Sequence, residues 1–206
     1  MVLLYRPIVI LEKEVLSLSN KHNAREAIVD TASRLFFTQG YHATGLNQII
    51  KDSESPKGSL YYYFPRGKEE LALTCISRTS EIVAGLLRYY AEKQLGTAVM
   101  VQEFILELAR KAEETSFEGI VPFSFWVAVE TSCVSDELRS ACQSVFRDWQ
   151  DVIMQSLIEE GVEGTTAATK ASVIISLYEG ALLQALTHKS TQPLLAAAQS
   201  IPAILG

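Results

Sequence analysis

The stretch that decides the fold is SPKGSLYYYFPRGKEEL, residues 55–71. Pro56 has no backbone N–H and cannot continue a helix, but it suits the first position of a new one. Pro65 closes that helix for the same reason. The two prolines therefore predict one short helix over residues 57–63.

The side chains of this short helix divide between two faces. Leu60 and Phe64 are four residues apart and share one face, so we expect them to anchor the helix on its neighbours. Tyr61 and Tyr62 project away from that anchor, and Tyr63 lies between the two faces. Spacing alone leaves two readings open, which are a binding surface and a tyrosine-rich surface packed against the next helix.

Two further helices are predicted ahead of this stretch. Asn23 with Glu26 forms a capping-box pattern, and Gly40 is a typical left-handed helix end, so the first helix lies between them. Its apolar face comprises Ala24, Ile28, Ala32, Leu35 and Phe36. Thr44 is predicted to cap a second helix over residues 45–53. Three short helices with a four-residue turn between the last two form a helix-turn-helix pattern.

The residue types in this pattern suit contact with DNA. A phenol can donate a hydrogen bond to a phosphate oxygen while its ring packs on a sugar or a thymine methyl. Lys57 and Lys68 supply positive charge for phosphates, and Gly58 lets the backbone approach DNA closely. Thr44 offers a hydroxyl at a helix N-terminus, where backbone N–H groups also bind phosphate.

The composition favours an all-α protein. The 206 residues are 48% hydrophobic, and the turn dipeptides Asn-Gly and Asp-Gly do not occur. No GxSxG, HExxH, P-loop or dinucleotide glycine motif is present, so neither an enzyme nor a cofactor is predicted. The three histidines are isolated, and no metal site is predicted. The three cysteines lack metal-type spacing and are predicted to be buried thiols in a reducing cytoplasm.

The charge is uneven along the chain. Residues 21–70 carry seven Lys or Arg against six Asp or Glu, whereas residues 71–206 carry nine against sixteen. An acidic surface disfavours non-specific contact with nucleic acid. Any DNA binding is therefore expected in the N-terminal quarter.

Residues 24–71 resemble the DNA-binding domain of TetR-family transcriptional regulators. The family pattern of glycine, small residue, Leu, Tyr, any residue, aromatic residue and Phe, followed by Lys-Glu-x-Leu, matches residues 58–71, and its earlier pattern matches Gly40, Tyr41 and Thr44. The extra residue between Phe64 and Lys68 is similar to the LmrA/YxaF-type branch. So is ETSCVSDELRSACQSVFRDW, residues 130–149.

The resemblance implies a role for individual residues. Thr44, Tyr61 and Lys68 match positions that touch phosphates. The positions that face the major groove are matched by Lys57, Gly58, Ser59 and Tyr62. One departure is Glu54, which stands where the family has a left-handed glycine; a side chain there costs on the order of 1 kcal/mol.

The resemblance also implies a body that dimerises and holds an effector. The apolar positions that we assign to the dimer interface are Val145, Trp149, Val152, Val173, Leu177 and Ala181. The positions assigned to a small apolar or aromatic effector are Phe104, Phe123, Trp126, Glu130 and Tyr178. Spacing alone equally allows both sets to be plain core.

The expected protein is thus all-α, with an N-terminal three-helix DNA-binding domain over residues 21–67 and a larger helical effector-binding and dimerisation domain over residues 68–206. Residues 1–20 are an extension or precede the native start, and they are too short and interrupted to span a membrane. The predicted partners are a double-stranded DNA operator, a small-molecule effector and a second copy of the chain, in the cytoplasm. The alternative is a helical ligand-binding or interaction protein with weakened DNA binding.

Overall fold

The computed structural model describes residues 24–117 and 129–206. Every regular element among these residues is an α-helix, which confirms the all-α prediction. The helices are α1 (Ala24–Gln39), α2 (Leu46–Asp52), α3 (Lys57–Tyr63), α4 (Lys68–Ala91), α5 (Thr97–Glu114), α6 (Val129–Ser132), α7 (Asp136–Glu159), α8 (Gly164–His188) and α9 (Gln192–Leu205).

The described residues form two compact units. The N-terminal unit comprises residues 24–79 and 129–143, and the C-terminal unit comprises residues 80–117 and 144–206. Helices α4 and α7 each contribute residues to both units. The short helix α6 and the first two turns of α7 therefore belong with the helix-turn-helix residues, although they follow them by more than fifty positions.

Helix α1 forms as its periodicity predicts. Ile28, Ala32, Leu35 and Phe36 are buried on one face. Gly40 then ends the helix with a φ of 90°, a conformation that glycine adopts without the steric cost of a Cβ. The predicted capping residue Asn23 lies outside the described residues.

Helix α2 begins differently from the prediction. Gly45, not Thr44, precedes the first helical turn, and no side chain caps it. The hydroxyl of Thr44 instead donates to the Gly40 carbonyl at 2.8 Å. Thr44 is completely buried, so its side chain stabilises the turn between α1 and α2.

Helix α3 is held as its four-residue spacing predicts. Leu60 and Phe64 are buried, and α3 packs against α1. The turn before it contains Glu54 at a φ of 53°, which confirms the predicted left-handed conformation at a residue that is not glycine. Ser55, the next residue, is buried.

The core of the C-terminal unit is formed by α5, α8 and α9, because α9 packs against both of the others. The inner face of α5 contains Val101, Phe104, Ile105 and Leu108, which are all buried. Its spacing of three and four residues is that of an amphipathic helix, and burial of such a stripe is the main source of helix stability in proteins.

Helix α8 begins at Gly164. The cause is Glu163, whose carboxylate accepts hydrogen bonds from the backbone N–H groups of Thr165 and Thr166. The hydroxyl of Thr165 also donates to this carboxylate. Together these bonds lower the pKa of Glu163 to about 2, because they stabilise its charged form.

Helix α9 is continuous through Pro202, although a proline inside a helix is expected to break or kink it. Pro202 has no N–H, so the carbonyl of Ala198 loses its helical donor. The side chain of Gln102 on α5 donates to that carbonyl at 3.0 Å. A tertiary hydrogen bond thus replaces the missing helical one.

None of the three cysteines is in a disulfide. Cys75 and Cys142 are buried, but Cys133 is exposed, so the prediction of three buried thiols is wrong for Cys133. Burial raises the pKa of Cys75 to about 12. Among the described helices, none is both long and apolar enough to cross a membrane.

Candidate nucleic-acid interface

The surface of α3 presents the groups that the sequence assigns to DNA. Tyr62 is 78% exposed and Tyr61 is 46% exposed, while Leu60 between Ser59 and Tyr61 is buried. Lys57 is exposed at the start of the helix. A seven-residue helix is unstable alone, so the buried anchors hold these phenols in place.

The neighbours of the two exposed tyrosines on α3 are either small or half-buried. Gly58 is exposed, and a Cβ built there would meet no atom within 4 Å. Ser59 is half-buried. Tyr63 is also half-buried, and its ring meets that of Tyr62 edge-on with centroids 5.0 Å apart. Tyr63 therefore packs against the exposed ring of Tyr62.

Thr44 has a different environment from the one expected of a phosphate ligand. Its oxygen accepts a hydrogen bond from Gln39 at 3.2 Å and donates to Gly40. Gln39 also pairs with Gln48 on α2 at 2.8 Å. The buried hydroxyl is thus committed within the protein, and its assignment as a phosphate contact is corrected to a role in the α1–α2 turn.

Lys68 is half-buried at the start of α4, with its Nζ 4.3 Å from the centroid of the Tyr41 ring. Burial lowers the pKa of Lys68, and the carboxylate of Glu130 opposes that shift. The lysine therefore makes a cation–π contact inside the N-terminal unit. Its predicted role at a phosphate stays a prediction.

A hydrogen bond and an ion pair connect residues 129–143 to the helix-turn-helix residues, and the sequence did not predict either of them. The backbone N–H of Tyr41 donates to the Glu130 carboxylate at 2.6 Å. Arg66, in the turn before α4, pairs with Glu137 on α7. The paired residues lie 89 and 71 positions apart, so no local pattern could reveal them.

The residues assigned to the dimer interface divide into two groups. Val145, Trp149 and Ala181 are buried in the chain's own core, and the indole N–H of Trp149 donates to the Ser80 carbonyl at 3.2 Å. They present almost no surface to a second copy, so we no longer assign them to the interface. Val173 is 47% exposed. Val152 and Leu177 are half-buried.

Helix α8 presents an uncharged outer face. Every exposed side chain from Thr165 to Thr187 is small, apolar or neutral polar. The exposed positions are Thr165, Thr166, Ala168, Thr169, Ser172, Val173, Ser176, Leu183, Gln184 and Thr187. In contrast, the exposed side of α7 carries Arg147, Asp148 and Asp151.

The residues assigned to the effector are only partly brought together. The rings of Phe104 and Tyr178 lie 5.0 Å apart and are buried in the C-terminal unit. Burial raises the pKa of Tyr178 well above its ordinary value, and the neighbouring carboxylate of Glu179 adds to this. Glu130 belongs to the N-terminal unit instead. Phe123 and Trp126 lie outside the described residues.

A cavity of about 510 Å³ opens between α4 and α7 in the C-terminal unit. Its walls carry the carboxylates of Glu81, Asp148, Asp151 and Glu159 and the guanidinium of Arg88. Of the predicted effector residues that the structure describes, Phe104, Glu130 and Tyr178 do not line it. Within residues 24–117 and 129–206, no cluster of three or more His, Cys, Asp or Glu could hold a metal ion.

Two protein families match the chain. The family described as bacterial regulatory proteins, tetR family, matches residues 28–75. The family described as transcriptional regulator LmrA/YxaF-like, C-terminal domain, matches residues 97–200. The first match contains α2 and α3, and the second contains α5 and α6 to α8.

Individual proteins match over nearly the whole chain. The HTH-type transcriptional regulator YxaF of Bacillus subtilis (strain 168) is 39% identical over 188 residues, covering 91% of this chain and 98% of that protein. The regulator LmrA of the same strain is 39% identical over 184 residues, covering 89% and 97%. The crystal structure of reduced Escherichia coli NemR has a TM-score of 0.74 at 26% identity, covering 89% of this chain and 98% of that one.

Proposed function

The chain belongs to the tetR family of bacterial transcriptional regulators, and on that basis we propose that it is a repressor that binds a palindromic operator as a homodimer and is released by a small apolar or aromatic effector. Its relatives and both matched families are regulators and not enzymes. Repression is proposed because the similar NemR of Escherichia coli (strain K12), 27% identical over 182 residues, is named a transcriptional repressor.

The observation that carries the proposal is that α3 has one buried face and one exposed face. Two phenols are exposed beside Lys57, and the opposite face is buried through Leu60 and Phe64. In a helix-turn-helix protein the second helix lies in the major groove while the first crosses the backbone. Tyr62, which is 78% exposed, is then available to base edges, and we assign Tyr61 and Lys57 to phosphates.

A palindromic operator follows from two-fold symmetry. Two recognition helices related by a two-fold axis enter successive major grooves roughly 34–36 Å apart. The uncharged outer face of α8 supports this helix as the main contact between the copies, because charged residues are depleted at the centre of such interfaces. Within this face we retain Val173 and Leu177 as interface residues.

Release by an effector requires that the ligand bind one arrangement of the protein better than the other. The aromatic pair of Phe104 and Tyr178 supports an apolar or aromatic ligand near the core of the C-terminal unit. We place the activity in the cytoplasm, where bacterial chromosomal DNA lies.

One observation favours a second candidate function. Glu54 places an exposed carboxylate in the left-handed turn directly before α3. A negative charge there repels phosphates and weakens DNA binding. A helical ligand-binding protein with low DNA affinity is therefore the alternative.

The decisive experiment measures binding to the DNA upstream of the protein's own gene by fluorescence anisotropy. We expect the wild type to bind tightly and Tyr62→Ala to bind roughly 10- to 100-fold more weakly, as the loss of a specific base contact does. Tyr89→Ala removes another exposed tyrosine, on α4, and should bind like the wild type. Equal affinities for the wild type and Tyr62→Ala would refute the assignment of α3. Absence of wild-type binding would favour the alternative.

A further inference from the structure

Helix α6 contacts the turn between α1 and α2 through the carboxylate of Glu130. The backbone N–H of Tyr41 donates to Oε2 of Glu130 at 2.6 Å. Glu130 is half-buried, and both residues belong to the N-terminal unit. An ionised acceptor makes this hydrogen bond about twice as strong as a neutral one.

Gly40 provides the space for this carboxylate. A Cβ at Gly40 would lie 2.8 Å from Oε2 and 3.0 Å from Oε1 of Glu130. Real Cβ atoms do not approach oxygen that closely, so a larger residue at position 40 would displace the carboxylate. The positive φ of Gly40 independently favours glycine. Both the backbone conformation and the space for the carboxylate therefore require glycine at position 40.

The turn held by Glu130 determines where α2 begins. The Gly40 carbonyl accepts the Thr44 hydroxyl at 2.8 Å, and the Tyr41 carbonyl accepts the Thr44 N–H at 3.3 Å. The Tyr41 ring packs against Phe36 and beneath the Lys68 ammonium. A shift of the Tyr41 backbone would therefore reach α2, α1 and the start of α4 together.

We propose that Glu130 is a positioning residue for operator binding, which acts by fixing the α1–α2 turn from helix α6. This rests on the proposed function, since the binding event that it serves is operator recognition. Glu130 thereby loses its predicted role as an effector ligand, because its carboxylate is engaged with the DNA-binding helices. Helix α2 crosses the DNA backbone in helix-turn-helix complexes, so its placement controls the register of α3 in the groove.

The test compares two substitutions that differ only in the acceptor. Glu130→Met keeps the length of the side chain and removes the acceptor, whereas Glu130→Gln keeps an acceptor oxygen and removes the charge. Asp136→Asn controls for charge, because Asp136 is exposed and pairs within its own helix with Arg139. Operator affinity is measured by anisotropy, and the active fraction by stoichiometric titration at high protein concentration.

We expect Glu130→Met to lower operator affinity at least tenfold while all of the protein remains able to bind. A loss of this size corresponds to the free energy of one hydrogen bond to a charged group. Glu130→Gln should stay within about threefold of the wild type, and Asp136→Asn should equal it. If Glu130→Met reduces only the active fraction, or if Glu130→Gln falls equally far, the proposal is overturned. Failure of the wild type to bind would instead refute the proposed function.

A double-mutant cycle tests the contact independently of DNA. Gly40→Ala should destabilise the wild type more than it destabilises Glu130→Ala, because only the wild type retains the carboxylate that the new methyl displaces. The penalty that remains in Glu130→Ala reports the positive φ at position 40. Equal penalties in urea unfolding would show that Glu130 does not occupy the space beside Gly40 in solution.

Discussion

Helices α3 and α8 both expose apolar side chains, but the charge around them differs. On α3, Tyr61 and Tyr62 are exposed beside the cationic Lys57. On α8, Val173 and Leu183 are exposed, and each exposed side chain from Thr165 to Thr187 is uncharged. Exposed apolar surface alone therefore does not identify a partner.

This difference in charge favours a different kind of partner for each helix. A cation next to a phenol suits a polyanion, since phosphate contacts supply most of the affinity for DNA. A long uncharged face suits a second copy of itself, since burying it leaves no unpaired charge. The two helices also differ in length, because α3 has seven residues and α8 has 25. Only α3 depends wholly on its anchors for its conformation.

The largest effect is expected from removing an anchor of α3. Phe64→Ala should lower the free energy of unfolding by about 3–5 kcal/mol, because it leaves a cavity beneath a helix that cannot stand alone. Tyr61→Ala, on the exposed side, should change it by about 0.5 kcal/mol or less. Urea unfolding followed by circular dichroism measures both. Similar losses would contradict the division of α3 into a buried and an exposed face.

An intermediate effect is expected on α8. Val173→Glu should weaken the proposed dimer about 100-fold, because two-fold symmetry would bring a pair of carboxylates into a face whose exposed side chains are all uncharged. Sedimentation velocity at micromolar concentration should then show a monomer with wild-type helicity. Gln199→Glu adds the same charge to the exposed side of α9 and should remain a dimer. A dimeric Val173→Glu would mean that the copies meet elsewhere.

The smallest effect is expected in the turn that precedes α3. Glu54→Gly should raise the free energy of unfolding by about 0.5–1 kcal/mol, since relief of the left-handed strain exceeds the added entropy of the unfolded chain. Glu54→Gln removes only the charge and should leave stability unchanged. Both should bind the operator slightly more tightly than the wild type. If Glu54→Gln alone raises stability, the cost at this position is electrostatic and not conformational.

Predictions from neighbouring residues proved accurate for α3 and for the turn before it. The prolines at positions 56 and 65 and the four-residue spacing of Leu60 and Phe64 set the bounds and the buried face of α3, as the structure has them. Glu54 adopts the left-handed conformation that its place in the turn requires. These features depend on forces that act over three or four residues, such as proline sterics and helical periodicity.

Expectations based on neighbouring residues were wrong where a residue distant in the sequence makes a contact. Pro202 does not break α9, because Gln102 satisfies the carbonyl that the proline leaves without a donor. Trp149 fits an amphipathic interface helix by spacing, but its ring is buried against α4 and its N–H is bonded to Ser80. Periodicity identifies an apolar face without stating whether the same chain or a second copy covers it.

The sequence by itself determined the all-α class, the helix-turn-helix pattern and the phenols that α3 exposes, because each follows from interactions within a turn or a helix. The tertiary structure alone decided that Thr44 is buried, that α8 keeps an uncharged outer face, and that Glu130 binds the backbone of Tyr41. The burial of Thr44 and the exposed face of α8 depend on how the helices pack, and the Glu130–Tyr41 hydrogen bond joins residues 89 positions apart. Such contacts are set by the packing of whole helices, which no short stretch of sequence encodes.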